Sequence, residues 1–217
     1  MAHLPTAPRV LRGGFVLLDA TSGQPVRTIP FQYNPDSLTR TLTPQAIGQE
    51  PGDRLEALRL KGPPHETYKF DAEFDATDLL DKPEQNPTEA QHGLLPVLSA
   101  MESSFTPDVG QLLAEDRMAS LGMIEVAPVT APLTVLVLGH NRTMPVQLTE
   151  LSVTEEAFDT SLQPLRAKVS ISARVLTVND LGFGGKGGLL FLAYHRGKAQ
   201  LAALITRTPA DLGLTSL

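Results

Sequence analysis

The chain has 217 residues and contains no cysteine, and none of its hydrophobic runs comes near the length of a membrane span. Without cysteine it has no disulfide, no thiolate metal site and no cysteine nucleophile, so the fold must rest on packing and backbone pairing. A membrane helix needs roughly 20 consecutive apolar residues, so we expect a soluble protein. The length predicts one large domain with a sizeable core.

The chain also has no excess of basic residues, and its formal net charge is -6. Binding to nucleic acid needs a basic face that neutralises phosphates, so we expect no nucleic-acid partner. The first eight residues have neither the basic and then apolar order of a secretory signal nor the Arg-rich pattern of a transit peptide. We therefore expect cytoplasmic synthesis and assembly, no membrane insertion, and an extended or disordered arm at residues 1–8.

Alternating apolar and polar residues predict a mainly β domain over residues 9–205. Residues 15–18 and 26–33 flank turn residues and predict a hairpin, and residues 133–138 predict another with the segment that begins at Met144. Alternation at residues 68–75 and 165–175 predicts two half-buried strands of a sandwich or barrel wall, the second about 36 Å long. After Leu148 the apolar phase inverts, which a one-residue bulge near Thr149 or Glu150 would reconcile.

The remaining segments predict a loop, two helices and a tail. Residues 43–64 have no apolar period and are rich in glycine, proline and charge, which predicts a long exposed loop. Helical spacing predicts a helix at about residues 93–105, with Pro96 in its first turn, and a terminal helix after the flexible glycine cluster at residues 182–188. Residues 107–132 give mixed signals and predict irregular or briefly helical structure. Residues 206–217 are predicted to be a C-terminal tail.

Motif chemistry gives little support for catalysis. The glycine-rich segment around Lys186 is not a phosphate-binding loop, because Gly187 follows the lysine where a hydroxyl residue is required. The five histidines show no pair at metal-binding spacing, and the acidic residues between positions 71 and 78 mostly alternate onto one strand face. No Gly-x-Ser-x-Gly elbow is present. We expect no enzyme activity, no cofactor and no bound metal.

The longest predicted strand carries a polar and partly basic face. Its simplest interpretation is a solvated strand face, and the alternative is a wall that meets acidic groups or cargo. The residues of this face are Arg166, Lys168, Ser170, Ser172 and Arg174.

Four segments follow one another in a fixed order, mostly at the ends of strand-like stretches. They are residues 31–35 followed by Leu38 and Arg40, then residues 70–78, 93–102 and 174–181. In order and spacing they resemble the contractile injection system tube-protein family, over about residues 15–204. The motif positions that carry the resemblance are Phe31, Gln32, Tyr33, Asn34, Pro35, Phe74, Asp75, Asp78, Asn179 and Asp180.

The resemblance implies a fold similar to phage tail tube proteins, with two packed antiparallel sheets in a sandwich or barrel and one or two helices. It implies a non-enzymatic structural subunit that forms a hexameric ring at the baseplate of a phage-tail-like particle. Such particles are assembled in the cytoplasm and can be released from the cell. As a tube initiator or spike adaptor, this ring would join the spike to the inner tube. The implied partners are a spike hub protein, the inner tube or a second tube-initiator protein, and baseplate wedge proteins. Many members carry a C-terminal LysM module, which this chain does not show.

A ring would place the polar face of the long strand toward its lumen or toward a neighbouring subunit. Reversing Arg166 and Arg174 to Glu is then expected to leave the monomer folded and to alter assembly or cargo passage. The alternative function is a soluble β-barrel module that binds a ligand or peptide in its barrel, and ring formation discriminates between the two. A hydrolytic enzyme would need a carboxylate pair or a metal site, which the sequence does not supply.

Overall fold

The computed structural model describes residues 11–19, 22–46, 58–122 and 131–213, and within them the protein is mainly β. The predicted arm at residues 1–8, the middle of the loop predicted at residues 43–64 and the end of the predicted tail lie outside these residues. Seven strands are described: β1 (Gly14–Leu18), β2 (Pro25–Pro30), β3 (Leu38–Thr43), β4 (His65–Asp75), β5 (Leu133–Val137), β6 (Thr143–Phe158) and β7 (Pro164–Val175).

Within the described residues, six α-helices accompany the strands, more than the one or two that were predicted. They are α1 (Thr77–Leu80), α2 (Pro87–His92), α3 (Leu95–Glu102), α4 (Val109–Ser120), α5 (Val178–Leu181) and α6 (Lys186–Ala202), and a 3-10 helix follows at Pro209–Leu212. The predicted helix at about residues 93–105 is confirmed as α3, and Pro96 lies in its first turn as expected. The predicted terminal helix is α6.

All seven strands belong to one antiparallel sheet in the order β2-β1-β5-β6-β7-β4-β3. Both predicted hairpins are confirmed, as β1 with β2 and as β5 with β6. The long strand is confirmed as β7, whose buried residues alternate with polar ones as predicted. Strand β3 was not predicted, because it is an edge strand with hardly any buried side chain and so shows no period in its sequence.

The predicted bulge is confirmed in β6. Opposite β7, Leu148 pairs with Ala173 and Glu150 pairs with Ser172, so Thr149 is the extra residue. The Thr149 hydroxyl donates a hydrogen bond of 3.1 Å to the carbonyl of Ser172, which ties the extra residue to the neighbouring strand. A bulge increases the local twist and bends the strand, so this residue contributes to the curvature of the sheet.

The sheet curls strongly enough for its two sides to meet. Four strand spacings separate β1 from β4, which would be roughly 19 Å in a flat sheet. The rings of Phe15 on β1 and Phe70 on β4 are nevertheless stacked with their centroids 6.4 Å apart. Phe31, just after β2, packs edge-on against both rings, at 5.3 Å and 5.6 Å. The inner face of the sheet therefore encloses one core of aromatic and aliphatic side chains.

Helices α3 and α6 add side chains to this core. Leu98 and Met101 of α3 and Phe191 and Tyr194 of α6 are all buried in it. Helix α6 begins at Lys186, so the last three residues of the segment at 182–188 lie in its first turn and not in a flexible loop. A Cβ at Gly188 would lie 1.8 Å from the carbonyl oxygen of Gly182, so only glycine allows this approach of the two backbones.

Candidate functional site

Three of the four family-like segments meet around one pocket. The pocket has a volume of about 380 Å³ and lies where β2 and β4 end, against α1, α2 and α3. Its lining includes Gln32, Tyr33, Phe74, Asp78, Leu94 and Val97, which come from the segments at residues 31–35, 70–78 and 93–102. The order of these segments was visible in the sequence, but their convergence depends on the curl of the sheet.

Gln32 joins the two sides of the curled sheet. Its side-chain amide donates to the carbonyl of Asp75 at 2.7 Å, and its side-chain oxygen accepts from the backbone N–H of Asp75 at 2.8 Å. The side chain thus continues the hydrogen-bonding pattern of a strand at the point where β4 ends. Because a buried or half-buried backbone group needs a partner, this pair closes the sheet edge beside the pocket.

Asn34 makes the same kind of two-way contact with the segment before β1. Its side-chain oxygen accepts from the N–H of Gly13 at 2.8 Å, and its side-chain amide donates to the carbonyl of Leu11 at 2.9 Å. Phe31 packs in the core, Gln32 binds the end of β4, and Asn34 binds the segment before β1. The segment at residues 31–35 therefore connects three parts of the chain. The structure therefore gives these motif positions a role in holding the fold.

Tyr33 and Asp78 form the rim of the pocket. The Tyr33 hydroxyl donates a hydrogen bond of 2.5 Å to the Asp78 carboxylate, and this bond is the main cause of a raised pKa for Tyr33. The pocket floor beside them is apolar and includes Leu79 and Leu94. Gly93 borders it with a positive φ of 55°, which favours glycine, and a Cβ there would lie 2.6 Å from the Pro164 carbonyl oxygen.

The fourth segment lies elsewhere and forms a helix cap. Asp180 accepts hydrogen bonds from the backbone N–H and the hydroxyl of Thr177, at 2.8 Å and 3.1 Å, and pairs with Arg174 at 3.0 Å. Burial tends to raise the pKa of Asp180, but the Thr177 bonds and the Arg174 guanidinium outweigh it and hold the pKa below its usual value. Asn179 lies beside Gly62, where a Cβ would be 2.8 Å from its side-chain amide.

The predicted polar face of β7 lies on the outer side of the sheet, next to acidic residues of β4 and β6. Arg166 pairs with Asp75 at 2.8 Å, and Lys168 pairs with Asp71 at 3.0 Å. Ser170 donates a hydrogen bond to Asp71 at 2.7 Å. This bond is the main cause of a lowered pKa for Asp71, and the bond to Asp71 raises the pKa of Lys168.

The remaining two positions have similar partners. Ser172 lies opposite Glu150, at 3.5 Å between side-chain oxygens, and Arg174 also contacts Gln147 at 3.2 Å. The basic residues of this face were predicted, in the alternative interpretation, to meet acidic groups, and some of those acidic groups belong to this same chain. The reversal of Arg166 and Arg174 to Glu would place like charges beside Asp75 and Asp180, so we also expect a modest loss of monomer stability in that variant.

A second polar cluster was missed by the sequence reasoning and is centred on Glu66, whose side chain is 4% exposed. The Glu66 carboxylate pairs with Lys198 at 2.6 Å and accepts from the Tyr194 hydroxyl at 2.7 Å and the Tyr68 hydroxyl at 3.1 Å. The Arg40 guanidinium is 3.8 Å away. A signal was present, because Glu66 has the same alternation phase as Tyr68 and the other buried residues of β4.

The chemistry of this cluster is that of a structural contact. Burial is the main cause of a raised pKa for both Tyr68 and Tyr194, so both phenols stay protonated at neutral pH. A catalytic tyrosine base or nucleophile would need the opposite shift. Lys198 also lies over the Tyr194 ring at 4.4 Å from its centroid. The cluster thus fixes α6 to β4.

Neither metal-binding clusters nor membrane-spanning helices are found in the part of the chain that the structure describes. No group of three or more His, Asp or Glu residues in it is placed to hold a metal ion, and none of its helices is long and apolar enough to cross a membrane. A scan against models of protein families and a search of curated proteins found no match to this chain.

Proposed function

We propose that this protein is a structural, non-enzymatic subunit of a contractile injection particle, forming a hexameric ring at the baseplate between the spike and the inner tube. The observation that supports it best is the convergence of the family-like segments. Residues 31–35 bind residues 70–78 across the two sides of a curled antiparallel sheet, residues 93–102 line the same pocket, and the segment at residues 174–181 caps a helix. The proposal includes a tube-like fold, with the curled sheet as its wall.

Two further features favour an assembly role. Strands β2 and β3 are at the ends of the sheet order, so each has one edge without a neighbouring described strand. Such edges offer backbone groups to another chain. The outer face around β7 carries ion pairs and hydroxyls that suit a wetted wall or subunit contact.

The test is size-resolved mass analysis of the protein alone and after mixing with a neighbouring gene product that resembles a spike hub. A ring, or a stable complex with the hub, is the expected result. A monomer in both samples, with no hub complex at any concentration tried, would contradict the proposal. A further variant, the exchange Asp71→Lys with Lys168→Glu, reverses one exposed ion pair, but it also sets a second carboxylate opposite Glu73 and removes the Ser170 bond to Asp71. The stability of this monomer is therefore measured first, and altered ring or hub contacts in a folded monomer are the expected result.

The second candidate function is a binding module, and the pocket is the observation that favours it. The interior of the curled sheet is filled by buried side chains such as Phe15 and Phe70, so a ligand in the barrel itself has little room. The pocket of about 380 Å³ beside α3 is large enough for a small ligand or a peptide side chain. A monomer that binds a peptide there would support this candidate.

A further inference from the structure

Residues 58–61 form an exposed segment that is both apolar and basic, and we call it the arm segment. Leu58 and Leu60 are 95% and 58% exposed, and Arg59 and Lys61 add two positive charges. The segment is held to the sheet by a bridge between Ala46 and Leu60 and by a hydrogen bond of 2.8 Å from the Lys61 N–H to the Gln45 carbonyl. The segment precedes His65, the first residue of β4, and extends the β3–β4 hairpin toward its loop end. Its two leucines are exposed.

The pocket lies at the other end of the same strand. β4 runs for 11 residues from His65 to Asp75, which is about 33 Å from the first Cα to the last. The arm segment adjoins His65, whereas the pocket adjoins Asp75 through Asp78 and Leu79. A chain cannot place its own arm segment in its own pocket without breaking β4 or its pairing with β7.

The two surfaces have complementary chemistry. The pocket floor is apolar, and its rim carries two carboxylates, Asp78 and Glu89, against one guanidinium, Arg12. Among the described residues Glu89 has no ion-pair partner. Leu60 and Lys61 of the arm segment match an apolar floor beside an acidic rim. Exposed leucines of this kind gain free energy when another surface covers them.

We propose that the arm segment of one copy docks into the pocket of a second copy, with Leu60 against the floor near Val97 and Lys61 near Glu89. Because the two surfaces are different and far apart, the contact is head-to-tail, which generates closed rings or open chains. The inference rests on the proposed function, since it names a contact between copies that a ring requires.

The absence of cysteine permits a clean chemical test. One protein carries Leu60→Cys as a mixed disulfide with thionitrobenzoate, and the second carries Val97→Cys as a free thiol. When the thiolate at position 97 attacks the disulfide, a bond forms between the two proteins and coloured thionitrobenzoate leaves. Each rate is divided by the rate of the same thiol with the small thionitrobenzoate disulfide reagent. This division corrects for differences in thiol exposure and pKa.

The expected result is a normalised rate at least about tenfold higher for Val97→Cys than for Ser99→Cys, an exposed position on the same helix, because docking raises the local concentration. Lys61→Glu in the arm protein should remove most of the gain, and Glu89→Lys in the pocket protein should restore it. If Val97→Cys perturbs the fold, Leu79→Cys on another wall of the pocket replaces it.

Equal normalised rates at positions 97 and 99 would overturn the inference. So would an equal rate when the thionitrobenzoate group is carried at Leu162→Cys, a leucine that is 79% exposed and outside the arm segment. The two proposals fail separately. A hub complex without pocket-specific exchange would leave the adaptor function standing, whereas pocket-specific exchange without a hub complex would leave only the contact between copies.

Discussion

The buried carboxylate of Glu66 depends on partners from other elements. Lys198 comes from α6, and Arg40 comes from β3. A buried charge is tolerated only when it is paired and hydrogen-bonded, so this one residue makes the packing of α6 on the sheet specific. Lys198 is less buried than Glu66, with side-chain exposure of 27% against 4%. Removing Lys198 therefore leaves a more deeply buried unpaired charge than removing Glu66 does.

We predict that Lys198→Met lowers the free energy of unfolding by about 2–3 kcal/mol, because it leaves the Glu66 carboxylate buried without its closest cation. In a Glu66→Gln background the same change should cost much less, since no buried charge is left behind. Urea unfolding of the four proteins measures the coupling. The control is Lys69→Met on the exposed outer face of β4, expected within about 0.5 kcal/mol of wild type. Equal costs for the two lysine changes would contradict the prediction.

Helix α5 has four residues and relies on its cap. Thr177 and Asp180 form a capping box, and Asp180 also pairs with Arg174 at the end of β7. So short a helix is not stable by itself, and its cap and ion pair hold α5 against the end of β7.

We predict that Asp180→Asn lowers the free energy of unfolding by about 1 kcal/mol at neutral pH. The folded pKa of Asp180 lies below the usual 3.8, so its contribution is present above that value and is lost as pH falls through the lower folded pKa. The difference between wild type and variant should therefore close in strong acid. Urea unfolding over a pH series measures it, with Asp116→Asn on exposed α4 as the control, expected within about 0.5 kcal/mol of wild type at neutral pH. A gap that persists in strong acid would count against this role.

Most of the elements that the sequence predicted bury one face, although β2, which buries only Ile29, was also predicted from the turn residues before it. The bulge at Thr149 could be located because it inverts the phase of the buried residues in β6. Strand β3 and helix α4 were not predicted, for the opposite reason. β3 has hardly any buried residue and α4 has none, so neither leaves a hydrophobic period in the sequence. The polar face of β7 followed from alternation, but its acidic partners on β4 required the strand order.

At the scale of the whole molecule, the curl of the sheet is the feature that builds the candidate site. Sequence order placed the family-like segments along the chain, but the pocket exists because β2, at one end of the strand order, meets β4, which lies next to the other end. That contact is a tertiary property, which local patterns do not encode.

We predict that Phe15 and Phe70 are energetically coupled although four strand spacings separate their strands. Each change to Ala should cost about 3–5 kcal/mol, and the double variant should cost less than the sum by about 0.5–1.5 kcal/mol. If the double variant is too unstable to measure, changes to Leu give the same cycle with smaller costs. The control cycle pairs Phe15 with Phe191, whose ring stacks on His195 instead. Additive costs in the Phe15–Phe70 cycle would mean that the sheet is flatter than described.

The pairing of β1 with β5 bears on how the protein is made. Phe15 lies opposite Leu136, and the sheet continues from β5 through β6 to β7, which ends at Val175. During synthesis the β1–β2 hairpin leaves the ribosome long before its central neighbour exists. Strand β1 therefore lacks its β5 neighbour until more than half of the chain has been translated. A nascent chain that ends before β5 therefore has no β5 to pair with β1, and we expect chaperones to bind its exposed aromatic side chains, Phe15 and Phe31.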